Sequence, residues 1–296
     1  MVRTVNSIVL WQRLQEGKKD MANTGKYRLV AVDMDGTLLN DEKEVSPLTL
    51  EALKKLKNGG IPLTICTGRN ISGIERFMET LKPEGPIICN NGAVIMSPGG
   101  NETIFNCTMD KADARRVYEL GLSLKATLLI WCRNVFYTNE LNERSYGYKK
   151  YSGLDPVIVE DFDRLNEAGI TKILLCSESR EVDAYLEKVE GMRASEQGFL
   201  SETTFCKSLP IFLEFFSNRV SKGKALEFIA SHLGISMKEV ISFGDGMNDY
   251  PMIEKSGLGI AMGNACRELK KKASFVTLDN NSDGIAFALS FLKILN

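Results

Sequence analysis

Leu29-Val30-Ala31-Val32-Asp33-Met34-Asp35-Gly36-Thr37-Leu38-Leu39 is the stretch whose reading decides the fold of this chain. Its first four residues are apolar and read as a buried strand. Gly36 breaks the pattern, so both acids sit where a strand ends in a tight turn. Side chains i and i+2 of an extended chain point the same way, so Asp33 and Asp35 can face one point while Met34 faces elsewhere. Two carboxylates facing one point repel unless a cation or a shared proton neutralises them. Holding a divalent metal and attacking an electrophile requires that arrangement. A calcium loop or a solvated corner would use the same residue types. Three segments downstream bear on the choice.

Ile61-Pro62-Leu63-Thr64-Ile65-Cys66-Thr67-Gly68-Arg69 is a second apolar run, ending in a hydroxyl and a glycine. A hydroxyl beside free backbone N–H groups at a strand end can cradle phosphate, although Thr-Gly is also ordinary turn chemistry. Val220-Ser221-Lys222-Gly223-Lys224 opens a helix with Ala225, Leu226, Ile229, Ala230 and Leu233 at helical spacing. A lysine in that first turn opposes the helix dipole unless an anion lies nearby; exposure to solvent is the simpler alternative. Val240-Ile241-Ser242-Phe243-Gly244-Asp245-Gly246-Met247-Asn248-Asp249 ends a third apolar run in Gly-Asp-Gly and Asn-Asp. Capping of the next helix explains Asn248 or Asp249 singly. It does not explain why acids recur after apolar strands.

Around these segments, strand and helix patterns alternate. A helix is expected over about 46–59, with Ser46 and Pro47 at its start and Gly59-Gly60 at its end, and another over about 70–81, with strands leading to Thr67 and Asn90. Such alternation implies an α/β fold with a Rossmann-like parallel sheet, whose ligands bind at the carboxyl ends of the strands. All four segments fall there. The middle of the chain follows the turn-rich Ser97-Pro98-Gly99-Gly100-Asn101 and reads helix 110–125, strand 127–138, helix 143–152, strand 170–176, helix 179–189 and strand 211–216.

The four segments together resemble the haloacid dehalogenase (HAD) superfamily of phosphohydrolases, in its Cof-type branch with a large α/β cap. Asn90-Asn91-Gly92-Ala93, Gly257–Ala265 and Asp279–Ala286 look like further turns and strands of that family. The similarity is dense over about 27–96 and 217–292 and general between them. The resemblance implies a core formed by 21–107 and 217–296 and an inserted cap at 108–216 that closes over the site. It implies Asp33 as nucleophile, giving an aspartyl-phosphate, and Asp35 as general acid and base. Mg²⁺ is expected on Asp33, the backbone carbonyl of Asp35 and Asp245. Thr67, the Gly68 N–H, Lys222 and Asn248 are expected to hold the phosphoryl group. Asp249 would assist the metal through water or orient Lys222, and Arg69 would contact phosphate or pair with an acid. The expected activity is a Mg²⁺-dependent phosphatase for a small phosphorylated metabolite, with a sugar phosphate as the class that family analogy offers. The alternatives are a phosphomutase of the same superfamily and a sugar-phosphate-binding regulator without turnover. Dehalogenation is disfavoured, since it needs neither a metal nor an acid at position 35.

Composition sets further bounds. A chain of 296 residues exceeds a typical single domain, so two are expected. The net charge of −1 gives no footprint for nucleic acid or an anionic membrane. Apolar runs are too short to span a bilayer. The seven cysteines, an odd number without a Cys-x-x-Cys pair, suit a reducing cytoplasm. His232 is the sole histidine, which disfavours phosphohistidine chemistry and histidine-rich metal centres. No Gly-x-Ser-x-Gly elbow or Walker loop occurs. In the middle segment, Trp131, Arg133 and Tyr137 are of the kind that sets specificity. Residues 1–20 are expected to be a disordered extension or a mistaken start, with Met21 as the true one. The purine-rich codons implied by Glu16-Gly17-Lys18-Lys19-Asp20 would fit a translated ribosome-binding site.

Overall fold

Leu29–Val32 (β1) is buried at every residue, which its unbroken apolar sequence requires of a strand covered on both faces. The computed structural model describes residues 25–294, so the expectations for residues 1–20 lie outside the described residues. The chain divides into two compact units. The first takes the described residues up to Thr67, then Met78–Ile104, then those from Ser221 onward; the second takes Gly68–Phe77 and Phe105–Val220.

The strands that follow β1 are Leu63–Ile65 (β2), Ile87–Cys89 (β3), Val94–Met96 (β4) and Thr103–Asn106 (β5). Next come Thr127–Cys132 (β6), Val135–Thr138 (β7), Val157–Ile158 (β8), Ile170–Cys176 (β9), Thr203–Leu209 (β10) and Phe212–Ser217 (β11). Val240–Gly244 (β12), Leu258–Ala261 (β13) and Phe275–Val276 (β14) complete the set.

In the first unit the strand order is β14-β13-β12-β1-β2, with every neighbouring pair parallel. The α/β class and the parallel core sheet read from the sequence are therefore present. β3 carries the parallel pattern one step further through the bridge Cys66–Ile88, then turns back into the short sheet β3-β4-β5. Helix Pro47–Asn58 has Ser46 as its N-cap, the hydroxyl accepting from Thr49 N, and proline in its first turn. It packs on Gly284–Phe291, while Lys222–His232 packs on Tyr250–Lys255.

In the second unit the strand order is β10-β11-β9-β6-β7-β8. One face packs Ile130, Ile173 and Phe215 under Val117, Leu165 and Val182 from three helices, a core of its own. Trp131, Phe136, Tyr148 and Phe212 gather on the other face. Trp131 is buried, and its Nε1–H donates to Tyr148 Oη at 3.3 Å.

The structure departs from the expected elements in four places. Strand 127–138 is a hairpin: Arg133 and Asn134 take φ of 49° and 62°, the left-handed pair of a two-residue turn. Helix 143–152 is two short helices, Glu143–Gly147 and Lys149–Ser152. β10 was not anticipated because Thr203–Leu209 carries no apolar run; it is a sheet-edge strand and only partly buried. The helix expected at 70–81 begins at Glu75. Residues 70–74 form successive turns, Gly73 N to Asn70 O and Ile74 N to Ile71 O. They interlock with the short helix Lys149–Ser152: Ser72 Oγ donates to Ser152 O at 2.8 Å, and a Cβ on Gly73 would lie 2.2 Å from Tyr151 O. That close approach draws Gly68–Phe77 into the second unit. No helix among the described residues is long and apolar enough to cross a membrane.

Candidate active site

Parallel register aligns the strand ends that carry the acids. Val32 pairs with Phe243 across β1 and β12, and Asp33 N donates to Phe243 O at 3.0 Å, so Asp33 and Gly244-Asp245 leave the sheet side by side. On the other side Cys66 N donates to Val32 O at 2.9 Å, which brings Thr67 to the same end. This is the carboxyl edge of a parallel sheet, where such folds bind ligands.

Asp33, Asp245 and Asp249 each offer a carboxylate oxygen, all within 4.8 Å of one another. Lys222, buried in the first turn of its helix, sends Nζ to Asp33 Oδ1 at 2.5 Å and to Asp249 Oδ1 at 2.5 Å. Two carboxylates outweigh the unfavourable end of the helix dipole. The other oxygen of Asp249 accepts from the N–H groups of Asp245 and Gly246, both at 3.0 Å. Asp249 is thus used as an internal strut that fixes Lys222 and the Gly-Asp-Gly turn. Asp245 takes the Thr37 hydroxyl on Oδ1 at 2.9 Å. Gly36, at φ +81°, lets the turn approach: a Cβ there would stand 2.5 Å from Asp245 Oδ2.

Charge crowding shows in the acid strengths. Burial and then the Asp249 charge push the Asp33 carboxyl well up, with Lys222 opposing them. Burial, then Asp249, push Asp245 up to about 6, with the Thr37 hydroxyl opposing. Burial pulls the Lys222 ammonium down, but Asp249 and Asp33 outweigh it and raise it overall. A divalent cation would relieve the repulsion among the three acids, and an all-oxygen, carboxylate-rich donor set fits a hard cation.

Asp35 lies in the same turn but is not one of the three clustered acids. Its side chain is 37% exposed and pairs with Lys43 at 3.3 Å. Asn248 Nδ2 donates to Asn91 Oδ1 at 3.1 Å, and Asn91 N donates to Thr67 O at 3.1 Å. The first unit thus gathers Asp33, Asp35, Thr67, Lys222, Asp245, Asn248 and Asp249. Gly68 and Arg69 belong to the second unit, where Gly68 O accepts from Lys172 Nζ at 2.8 Å and the buried Arg69 donates to Gly73 O at 3.0 Å. His232 closes the end of its helix, with Nδ1 2.8 Å from Phe228 O. Two residues with a place in this network carry no assigned part in the sequence reading: Thr37 and Asn91. Their signal was position alone, next to the acid turn and in the turn after β3.

A parallel α/β sheet with clustered acids and a buried lysine at its carboxyl edge suits a hydrolase of the phosphoryl-transfer kind. The chain belongs to the haloacid dehalogenase-like hydrolases, whose family model matches residues 30–289. The Bacillus subtilis protein YxeH is 32% identical over 274 residues, covering 90% of this chain and 99% of that one. An HMP-PP phosphatase of Citrobacter koseri is 31% identical over 82% of this chain and 86% of its own length. A haloacid dehalogenase-like hydrolase from Bacteroides thetaiotaomicron superposes with a TM-score of 0.78 at 27% identity, covering 90% of this chain and 99% of that one. Within the family the chain is a phosphatase, a phosphoric monoester hydrolase.

Proposed function

We propose that this enzyme hydrolyses a small phosphorylated metabolite, a sugar phosphate by family analogy, through an aspartyl-phosphate on Asp33 with Mg²⁺ as cofactor, in the cytoplasm. The observation that carries the reading is the buried Asp33 carboxylate, tied to Lys222 at 2.5 Å and clustered with Asp245. An Asp33 oxygen attacks phosphorus and the P–O bond to the alcohol breaks. Asp35 gives its proton to the departing oxygen, a contribution of roughly 10²–10⁴-fold for a poor leaving group. Asp35 then takes a proton from water, which attacks the aspartyl-phosphate, releasing inorganic phosphate and restoring Asp33. Its partial exposure suits a group that must exchange protons with solvent. Thr67, the Gly68 N–H, Lys222 and Asn248 bind the phosphoryl oxygens, with Arg69 in support. Asp249 keeps Lys222 charged and aimed. Bound by Asp33, Asp245 and the Asp35 carbonyl, Mg²⁺ would offset the repulsion between carboxylate and phosphate. Residues 108–216, as the cap, exclude water and select the substrate. The relative named HMP-PP phosphatase supports a small phosphorylated substrate.

The test is phosphate release from a panel of phosphorylated metabolites, with Mg²⁺ or EDTA, for wild type and Asp33→Asn. Release that needs Mg²⁺ and vanishes in Asp33→Asn is expected, with labelled phosphoryl trapped on Asp33. A requirement for a bisphosphate activator, with transfer instead of release, would replace hydrolysis by a mutase reaction.

A further inference from the structure

Three consecutive residues, Asn90, Asn91 and Gly92, hold φ of 49°, 56° and 100°. Left-handed backbone at two successive non-glycine positions is strained and persists only where surroundings over-determine it. The surroundings here are three separate segments of the first unit. Asn91 N–H donates to Thr67 O at 3.1 Å. Asn91 Oδ1 accepts from Asn248 Nδ2 at 3.1 Å, across 157 positions of sequence. Gly92 lies so close to the N-cap of the Lys222 helix that a Cβ on it would stand 2.5 Å from Ser221 O. Asn90 and Asn91 are both buried, and asparagine is among the few residues that tolerate this backbone.

We infer that Asn91 is a positioning residue, the link that sets Asn248 and Thr67 in register as a phosphate cradle, with the turn Asn90–Gly92 seating the Lys222 helix beside them. The inference rests on the phosphatase reading, since it assumes that Asn248 and Thr67 bind phosphate. The chemistry is direct. A carboxamide has two N–H donors; Asn91 takes one, which fixes the plane of the Asn248 amide and aims the other. Without Asn91 the amide can rotate, and its remaining hydrogen bond to a charged oxygen is no longer pre-aligned.

Asn91→Gly removes the amide yet keeps the left-handed backbone accessible. The experiment is a double-mutant cycle of Asn91→Gly and Asn248→Ala, read as kcat/KM for p-nitrophenyl phosphate, as the inhibition constant of inorganic phosphate, and as melting temperature. Asn91→Gly is expected to lower kcat/KM and weaken phosphate inhibition by roughly ten-fold each, the size of a loosened charge-assisted hydrogen bond. In the Asn248→Ala background the same change should have little further effect, because nothing remains to be aimed. Full additivity of the two changes, or a loss of activity that only tracks a fall in melting temperature, overturns the positioning role and leaves the phosphatase reading standing. A well-folded wild type that releases no phosphate and is not inhibited by it overturns that reading, and the inference with it.

Discussion

Lys222 Nζ and Asp33 Oδ1 meet at 2.5 Å inside the protein, across 189 positions of sequence. Neither side chain is accessible enough for water to solvate its charge: the lysine side chain is 1% exposed and the aspartate 7%. A buried ammonium survives there because Asp249 supplies a second carboxylate at the same distance. The pair therefore does two jobs. It opposes the burial that pushes the Asp33 carboxyl up, and under the proposed mechanism it brings positive charge to where a phosphate ester would bind.

Lys222→Met should cost stability as well as activity. Breaking a buried ion pair strands the partner, at about 3–5 kcal/mol. Phosphate release should fall by at least roughly 10²-fold, as when one preorganised donor to a developing charge is lost. In the variant, Asp33 loses the lysine that opposes burial, so its carboxyl is pushed still further up and holds its proton more tightly folded than unfolded. That contribution is fully present at acidic pH and lost as pH rises, so the deficit should shrink towards pH 5. Urea unfolding at pH 5 and pH 7.5 checks this; an equal deficit at both would contradict it.

Metal binding should be linked to protons through Asp245, which burial and then the Asp249 charge push up to about 6, above the ordinary carboxylate range. A raised carboxyl pKa means that the folded, metal-free protein holds the proton more tightly than the unfolded chain. Its contribution is present below the unfolded value and is lost as pH climbs through about 6. Mg²⁺ competes with that proton, so the rise in melting temperature on adding Mg²⁺ should be small at pH 5 and large at pH 7.5. A rise independent of pH would remove Asp245 from the metal site.

What could be read in the chain beforehand follows from where its signals are local. Asp33 after Leu29–Val32 and the Gly-Asp-Gly after Val240–Phe243 are short-range patterns, and the parallel register of β1 and β12 brings Asp33 and Asp245 together. Asp35, which an extended chain would aim at the same point, sits in a turn and pairs with Lys43 instead. Ser46-Pro47 marks a helix start through local chemistry alone. The Arg133-Asn134 turn was hidden because arginine is not a usual left-handed residue, so 127–138 reads as one strand. The Asn91–Asn248 bond was equally hidden, since only the folded sheet brings positions 157 apart into contact. Asp249 reads as a capping acid, an aid to the metal through water or a guide for Lys222; its three hydrogen bonds show that one oxygen takes Lys222 and the other the Asp245 and Gly246 N–H groups.

The second unit holds its own buried ion pair. Lys172 Nζ lies 3.4 Å from Glu214 Oε2 and donates to Gly68 O at 2.8 Å, while Ser208 Oγ donates to Glu214 Oε1 at 2.7 Å. Glu214→Leu leaves a fully buried ammonium without its counter-charge and should destabilise the protein by about 3–5 kcal/mol. Adding Lys172→Met should recover much of that loss, because two apolar groups of similar volume suit the adjoining Leu174 and Phe212 cluster. Denaturant melts of the two singles and the double measure the coupling. A double variant as unstable as the sum of the singles would show that the pair carries no interaction of its own.

Thr37→Val isolates the part played by a single hydroxyl. Valine keeps the β-branched shape but cannot donate to Asp245 Oδ1, a bond 2.9 Å long in the wild type. That bond favours the ionised carboxyl, so its loss should move the Asp245 pKa further above about 6. The metal then meets more competition from protons near neutrality. The Mg²⁺ concentration for half-maximal phosphate release should rise several-fold at pH 6.5 and much less at pH 8, where Asp245 is ionised in both proteins. Stability should fall by about 1.5–3 kcal/mol, the range for a hydrogen bond to a charged group. Activity titrated with Mg²⁺ at the two pH values decides the matter. An unchanged requirement at pH 6.5 would mean that Asp245 is not tuned by Thr37, and an equal rise at both would mean that the hydroxyl acts on site geometry and not on the acid's proton affinity.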